Sequence, residues 1–286
     1  MHIILGGTGN IGSVLAARLL ERGEKVTIVS HDEKKKKEWE DKGAQMAVVN
    51  VLEVDKLRKV FDTGERLFLL NPPADPSTDT VKEEEKTVTA ILAALQGSKI
   101  QKVVAESTYG AQPGKGIGDL GVLYEMEQSL SRIGIPASVM HGAYYMSNWI
   151  FSTDQARETG KLYSFYPADF KLPMVSPADI GEFGAGLMLE PLEKTDSYYI
   201  EGPEAYSPGD VAEAFAEALR KPVEVAVVPE AEWVSYLQKG GFSLEAAESM
   251  ATMTKLTLEQ DYKMPVSPVK GKTTLKEFIK GVVNGS

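Results

Sequence analysis

The sequence predicts an α/β fold: a doubly wound parallel sheet with a smaller, mostly helical C-terminal domain. Short apolar runs alternate with helical patterns through residues 1–150, the arrangement that builds βαβ units. The runs are bounded by turn residues and rich in Val, Ile and Leu, which suits strands covered on both faces. Beyond residue 150 helical patterns dominate, so residues 151–286 read as a separate, mainly helical part.

Ile3-Ile4-Leu5 is the first predicted strand, and Ile11, Val14, Leu15 and Leu19 then recur at spacings of three and four, which marks a helix. The second strand covers residues 25–29 and the third residues 47–49. Residues 66–70 form a fourth, stopped by Asn71-Pro72-Pro73. Val81, Val88, Ile91, Leu92 and Leu95 line one face of a long helix. A fifth strand spans residues 102–105 and a sixth residues 137–140, with a helix between them marked by Leu123, Met126 and Leu130. Helices are predicted from near Asp179, after Ser207-Pro208, around Trp233 and over residues 243–253, with Asp179 as a helix cap. A late strand at residues 197–200 has the composition to rejoin the sheet.

Composition narrows the chemistry. The 286 residues include no Cys, which excludes disulfides, thiolate catalysis and cysteine-held metals. Three His and no spaced carboxylate cluster leave no metal site to predict. A net charge of −10 disfavours a nucleic-acid partner, since phosphate backbones attract basic surfaces. No run of 18 apolar residues is present, so no membrane partner is expected. The expectation is a cytoplasmic protein with a small-molecule substrate.

Gly6-Gly7-Thr8-Gly9-Asn10-Ile11-Gly12 joins the first strand to the first helix. It satisfies both G-x-G-x-x-G and G-x-x-G-x-x-G. Glycine is needed for the tight turn, for close approach of backbone to a pyrophosphate, and for helix–strand packing. The helix N-terminus then offers free N–H groups to the phosphates. With the motif in that context, the sheet reads as Rossmann-like and the loop as dinucleotide-binding. The second strand ends in Ser30-His31, followed by Asp32, Glu33 and the lysines at residues 34–37. An acidic residue in this region would favour NAD by binding the ribose hydroxyl. A hydroxyl, an imidazole and ammonium groups suit a 2′-phosphate instead, which favours NADP(H) over NAD(H). A solvated helix start accounts for most of the lysines equally well.

Together these residues resemble the NmrA-like branch of the atypical short-chain dehydrogenase/reductase superfamily. The glycine loop is similar to that branch's N-terminal signature. Residues 142–148, Gly-Ala-Tyr-Tyr-Met-Ser-Asn, resemble its sixth-strand motif, and residues 175–181, Val-Ser-Pro-Ala-Asp-Ile-Gly, resemble a further conserved element. The resemblance implies NAD(P)H-dependent oxidoreductase activity like that of quinone reductases; redox-sensing regulators that only bind NADP(H) share the fold. The superfamily's Tyr-x-x-x-Lys pair is absent: its places fall at Asp119 and Leu123, and Tyr124 with Gln128 keeps only the spacing. The family's following Glu is matched by Glu127, and its usual Arg by His141.

Ser107, at the place of the superfamily's catalytic Ser, and Tyr124 are the catalytic candidates, with strand-end capping as the alternative for Ser107. Asn50, Asn71 and Pro72 follow the third and fourth strands, at the carboxyl edge where ligands bind in open α/β sheets, and join the glycine loop, Ser30 and His31 as cofactor candidates. Tyr109, Tyr144, Tyr145 and Asn148 are candidates to line a flat substrate's pocket, with core packing the alternative for the tyrosines.

Overall fold

The apolar runs predicted as strands in the first half are strands, buried except at the edge strand. In the computed structural model, which describes residues 1–260 and 262–285, these are β1 (His2–Leu5), β2 (Val26–Ser30), β3 (Gln45–Val48), β4 (Arg66–Leu69), β5 (Lys102–Thr108) and β6 (Ala137–Gly142). They pair in parallel in the order 3-2-1-4-5-6. The connections carry α1 (Gly12–Glu21), α2 (Lys36–Asp41), α3 (Val54–Phe61), α4 (Thr80–Leu95) and α5 (Asp119–Ile133). The later elements are β7 (Tyr144–Tyr145), α6 (Thr153–Thr159), β8 (Lys161–Ser164), β9 (Leu172–Val175), α7 (Pro177–Leu187), β10 (Ser197–Glu201), β11 (Ala205–Tyr206), α8 (Pro208–Leu219), β12 (Glu224–Val227), α9 (Trp233–Lys239), α10 (Leu244–Glu259), β13 (Val269–Lys270) and α11 (Leu275–Asn284). β10 pairs with β6 and β13 with β10, extending the sheet to eight strands.

The sheet is buried on both faces because successive side chains alternate between two cores. Ile4, Phe68, Val104 and Met140 pack with Leu15 and Leu19 of α1 and Ile180 of α7. Ile3, Leu67, Val103 and Ala105 pack with Leu57, Ile91 and Met126 of α3, α4 and α5. α1 and α7 approach closely at two glycines: a Cβ at Gly181 would lie 2.5 Å from the Ile11 carbonyl, and one at Gly184 2.9 Å from Leu15. A third core, with Met146, Trp149, Met174, Phe215 and Ile279, lies in the C-terminal part. There β11, β9 and β7 form one small sheet and β12 pairs with β8 in another, two additions to the mostly helical pattern that the sequence indicates.

The chain leaving α7 is held by two cations. Arg66 Nη1 donates to the carbonyls of Met188 (2.8 Å) and Glu190 (2.6 Å). Lys102, fully buried, donates from Nζ to those of Pro191 (2.9 Å) and Lys194 (2.7 Å). Helix ends leave carbonyls without intrahelical partners, and positive side chains satisfy them. At the other end of α7 the cap is Ser176, not Asp179: the Ser176 hydroxyl accepts the Ala178 N–H. Asp179 instead accepts from the Thr273 N–H and hydroxyl, both at 3.0 Å, tying the β13–α11 connection to α7.

Candidate functional site

The glycines divide the work of the first turn. Gly6 adopts φ +65°, a left-handed backbone that favours glycine. A Cβ at Gly7 would lie 2.8 Å from Ile28, and one at Gly12 would lie 2.4 Å from the Gly6 carbonyl oxygen, so both are required by packing. Gly9 differs: a Cβ there meets nothing nearer than 3.4 Å. Its side is open, at a helix N-terminus that no side chain caps. This is the cradle a pyrophosphate needs, with free N–H groups and room for close approach. Thr8 and Asn10 lie on the same turn, while Ile11 is buried beneath it.

At the end of β2, Ser30 is buried and its hydroxyl accepts the Asp32 N–H (3.3 Å). His31 is 82% exposed and pairs with Asp32 at 3.4 Å. Of the neighbouring lysines, Lys35 reaches back to the glycine loop and donates to the Thr8 carbonyl (2.9 Å). Lys37 pairs instead with Asp41 in the next helical turn. Asn50 is exposed and accepts the Leu52 N–H (3.0 Å), the behaviour of a turn residue. Asn71 accepts from the Thr87 hydroxyl (2.7 Å), which fixes the start of the Asn71-Pro72-Pro73 segment against α4.

Ser107 is fully buried, and its hydroxyl is bonded to Glu127. Glu127 also meets His141 Nε2 at 3.0 Å, while His141 Nδ1 contacts the Tyr198 carbonyl at 3.2 Å and its ring stacks on Tyr199. Ser107, Glu127 and His141 therefore form a closed polar group between β5, β6 and α5. Tyr124 lies partly buried on α5 outside it. Tyr109 is buried, edge-on to Tyr199, and donates to Glu201 (3.3 Å). Tyr144 and Tyr145 separate by strand alternation. Tyr144 packs against Trp149 and Tyr166 in the C-terminal core, with Asn148 hydrogen-bonded to it, so the pair does not form one wall. Tyr145 turns to β5 and donates to Glu106 Oε1 at 2.8 Å.

Two acidic groups here were not marked as candidates. Glu106 is 4% exposed, and its Oε2 has no partner among the described residues. Burial pushes its carboxyl well above the usual carboxylate range. Its signal in the sequence was a carboxylate inside an otherwise apolar buried strand, Val103-Val104-Ala105-Glu106. Glu84 on α4 accepts the Ala74 N–H (3.0 Å) and shares a hydrogen bond with Asp119, the first residue of α5. Burial, and then the Asp119 charge, push Glu84 up to about 8.

The Glu84 shift has a measurable sign. Folded Glu84 keeps its proton to higher pH than the unfolded chain does, so stability falls as pH rises from about 5 to about 8. Glu84→Gln keeps an acceptor for Ala74 and removes the ionisation. Its Tm should decline less than that of the wild type over this window, with part of the decline left to Glu106, whose shift has the same sign. Thermal unfolding at the two pH values checks this; parallel declines would refute it.

α10 roofs this end of the sheet. Ser243 at its start donates from its N–H to the Pro76 carbonyl (2.9 Å) and from its hydroxyl to Thr78 (2.7 Å), in the loop after β4. Met253, one helical face further on, packs over Gly118 beside Asp119. Among the described residues no three His, Asp or Glu side chains come together as a metal site, and no helix is long and apolar enough to cross a membrane.

The NmrA-like family model matches residues 2–280. The chain belongs to the NmrA-like family. Among curated relatives, an NAD(P)H azoreductase from Xenophilus azovorans is 23% identical over 228 residues, 80% of this chain and 77% of that one. Among solved structures, a triphenylmethane reductase from Citrobacter sp. superposes with a TM-score of 0.80 at 16% identity, covering 99% of both chains. An NADPH-dependent quinone oxidoreductase from Escherichia coli superposes with a TM-score of 0.74 at 19% identity, also covering 99% of both. These likenesses extend the shared fold through the C-terminal part.

Proposed function

We propose that this NmrA-like chain is an NAD(P)H-dependent oxidoreductase that reduces a small, flat, conjugated electrophile such as a quinone. The observation that carries the reading is the open side of Gly9 at an uncapped helix N-terminus. The named activities of the azoreductase and quinone oxidoreductase relatives support it. Azo and quinone groups both accept hydride and need no strong acid to do so, which suits a site without the Tyr-x-x-x-Lys pair. The glycine loop and the α1 N–H groups would hold the pyrophosphate, and the Asn71-Pro72-Pro73 backbone would border the ribose. A bound nicotinamide supplies the hydride; the protein orients the partners and excludes water, with α10 as the roof. Purified protein mixed with NADPH and a panel of quinones and azo dyes tests the reading through loss of reduced-nicotinamide absorbance. Turnover supports it. Tight NADPH binding with no acceptor reduced supports a non-catalytic NADP(H) sensor instead.

The preference we propose is NADP(H) over NAD(H). Lys35 brings an ammonium group to the glycine loop beside the end of β2, where Ser30 stands in place of a carboxylate. Lys35→Ala should weaken NADPH binding by roughly tenfold or more, the loss of one charge-assisted hydrogen bond, and leave NADH binding nearly unchanged. Ser30→Asp should invert the preference by repelling the 2′-phosphate and bonding a free hydroxyl. Calorimetric titration with both cofactors checks each; equal losses for NADPH and NADH in Lys35→Ala would show that Lys35 does not face the phosphate.

A further inference from the structure

We propose that Tyr145 is the proton donor of this site and that Glu106 is the buried store from which Tyr145 is resupplied. The inference rests on the reductase reading and adds to it the acid that the missing Tyr-x-x-x-Lys pair leaves unassigned.

Position comes first. The pairing of β1 with β4 and of β4 with β5 sets Ile4, Phe68 and Val104 in one row across the sheet. All three face the α1 side. Two residues further along each strand, the same row and face hold Gly6, Leu70 and Glu106, and Glu106 pairs in register with Met140 of β6. Leu70 bridges the row, since a Cβ at Gly6 would lie 3.1 Å from its Cδ2. Glu106 thus stands at the carboxyl edge, on the face that carries the glycine loop, separated from that loop by one strand.

Local geometry comes second. A Cβ at Gly142 would lie 2.8 Å both from Glu106 Oε1 and from the Tyr145 ring, so glycine there lets the two groups meet. Glu106 is sealed from solvent, whereas Tyr145 is only partly buried, so within the pair access to a ligand belongs to Tyr145. Glu106 makes one hydrogen bond, to Tyr145, and its second oxygen has no partner among the described residues. A buried carboxylate in that state would be left uncompensated, whereas the neutral acid is tolerated. Burial acts in that direction on both groups, and at Tyr145 the adjoining Glu106, and then the Asp119 charge, add to it.

The neutral acid reverses the direction of the 2.8 Å contact: Glu106 donates to the Tyr145 oxygen, and the phenol proton is free to point outward. Hydride reduction of a quinone, with the two electrons drawn from NADPH, leaves a hydroquinone anion that lacks one proton. Tyr145 O–H gives that proton, the Tyr145 oxygen takes the Glu106 proton, and once the product has left, Glu106 regains one from water through Tyr145, the partly buried member of the pair. Glu106 acts only through Tyr145 and is a positioning residue in this scheme.

The test has two arms, with menadione as the acceptor. In cofactor-free protein at neutral pH, infrared difference spectra should show two carboxylic-acid carbonyl bands, from Glu84 and Glu106, of which one disappears in Glu106→Gln and shifts in Tyr145→Phe. In turnover, Tyr145→Phe should lower kcat at least tenfold, abolish its solvent isotope effect and leave the NADPH dissociation constant within about twofold. A Glu106→Gln spectrum that keeps both wild-type bands overturns the proposal, and so does a Tyr145→Phe enzyme with unchanged kcat and isotope effect. If the wild type does not oxidise NADPH with any acceptor, the reductase reading fails. The infrared arm still decides whether the pair shares a proton.

Discussion

Gly9→Val is expected to abolish dinucleotide binding while the protein still folds. The added Cβ meets only the Gly6 carbonyl oxygen, at 3.4 Å, which is ordinary contact, and the methyl groups beyond it project into the space a pyrophosphate would occupy. Gly12→Val should do the opposite kind of damage. Its Cβ would sit 2.4 Å from the Gly6 oxygen and 2.9 Å from the Gly7 Cα, both backbone atoms that cannot step aside. Overpacking of this sort costs on the order of 1–3 kcal/mol or more. Calorimetric titration with NADPH and thermal unfolding, run on both variants, separate the two effects. Normal NADPH affinity in Gly9→Val would mean that the open side of the loop is not where the cofactor lies.

Lys102→Met should cost about 3 kcal/mol, because two charge-assisted hydrogen bonds from a fully buried side chain to the Pro191 and Lys194 carbonyls disappear. In a chain of this size that corresponds to a fall in Tm of on the order of 5 °C. Met fills most of the volume of the Lys stem, so the loss reports the hydrogen bonds rather than a cavity. Denaturant unfolding at neutral pH measures it; a change below about 1 kcal/mol would show that the 188–194 turn is held by Arg66 alone.

The central sheet was legible because its strands are continuous apolar runs and its helices have clear stripes, and those are the features that packing on two faces imposes. Two short helices beside the sheet escaped for a physical reason. α2 begins among the lysines and buries only Trp39, and α3 buries only Leu57 and Phe61, so neither has a long stripe. The glycine loop was legible in residue type alone, since glycine meets different steric demands at Gly6, Gly7 and Gly12. The acid side of the site does not work that way. Glu106 and Tyr145 are 39 residues apart in sequence, and strand pairing with a glycine at 142 brings them together. The adjacent tyrosines at 144 and 145 looked equivalent, and the pleat of a two-residue strand sends one to the C-terminal core and the other to Glu106. Asp179 had the composition of a cap, yet Ser176 begins the helix and Asp179 is spent on Thr273.

The late arrival of β10 bears on how the chain can be made. A ribosome delivers residues in order, and β6 is complete at residue 142 well before its outer neighbour at 197–201 exists. At synthesis rates of about 5–20 residues per second, the open flank of β6 waits for several seconds. An unpaired strand flank of this kind is a template for another chain's backbone. The interval between the two strands is therefore the stretch of translation in which a holding chaperone would matter most. A stop codon placed between residues 142 and 197 should yield insoluble fragments, even though the glycine loop and the six strands β1–β6 would already be present.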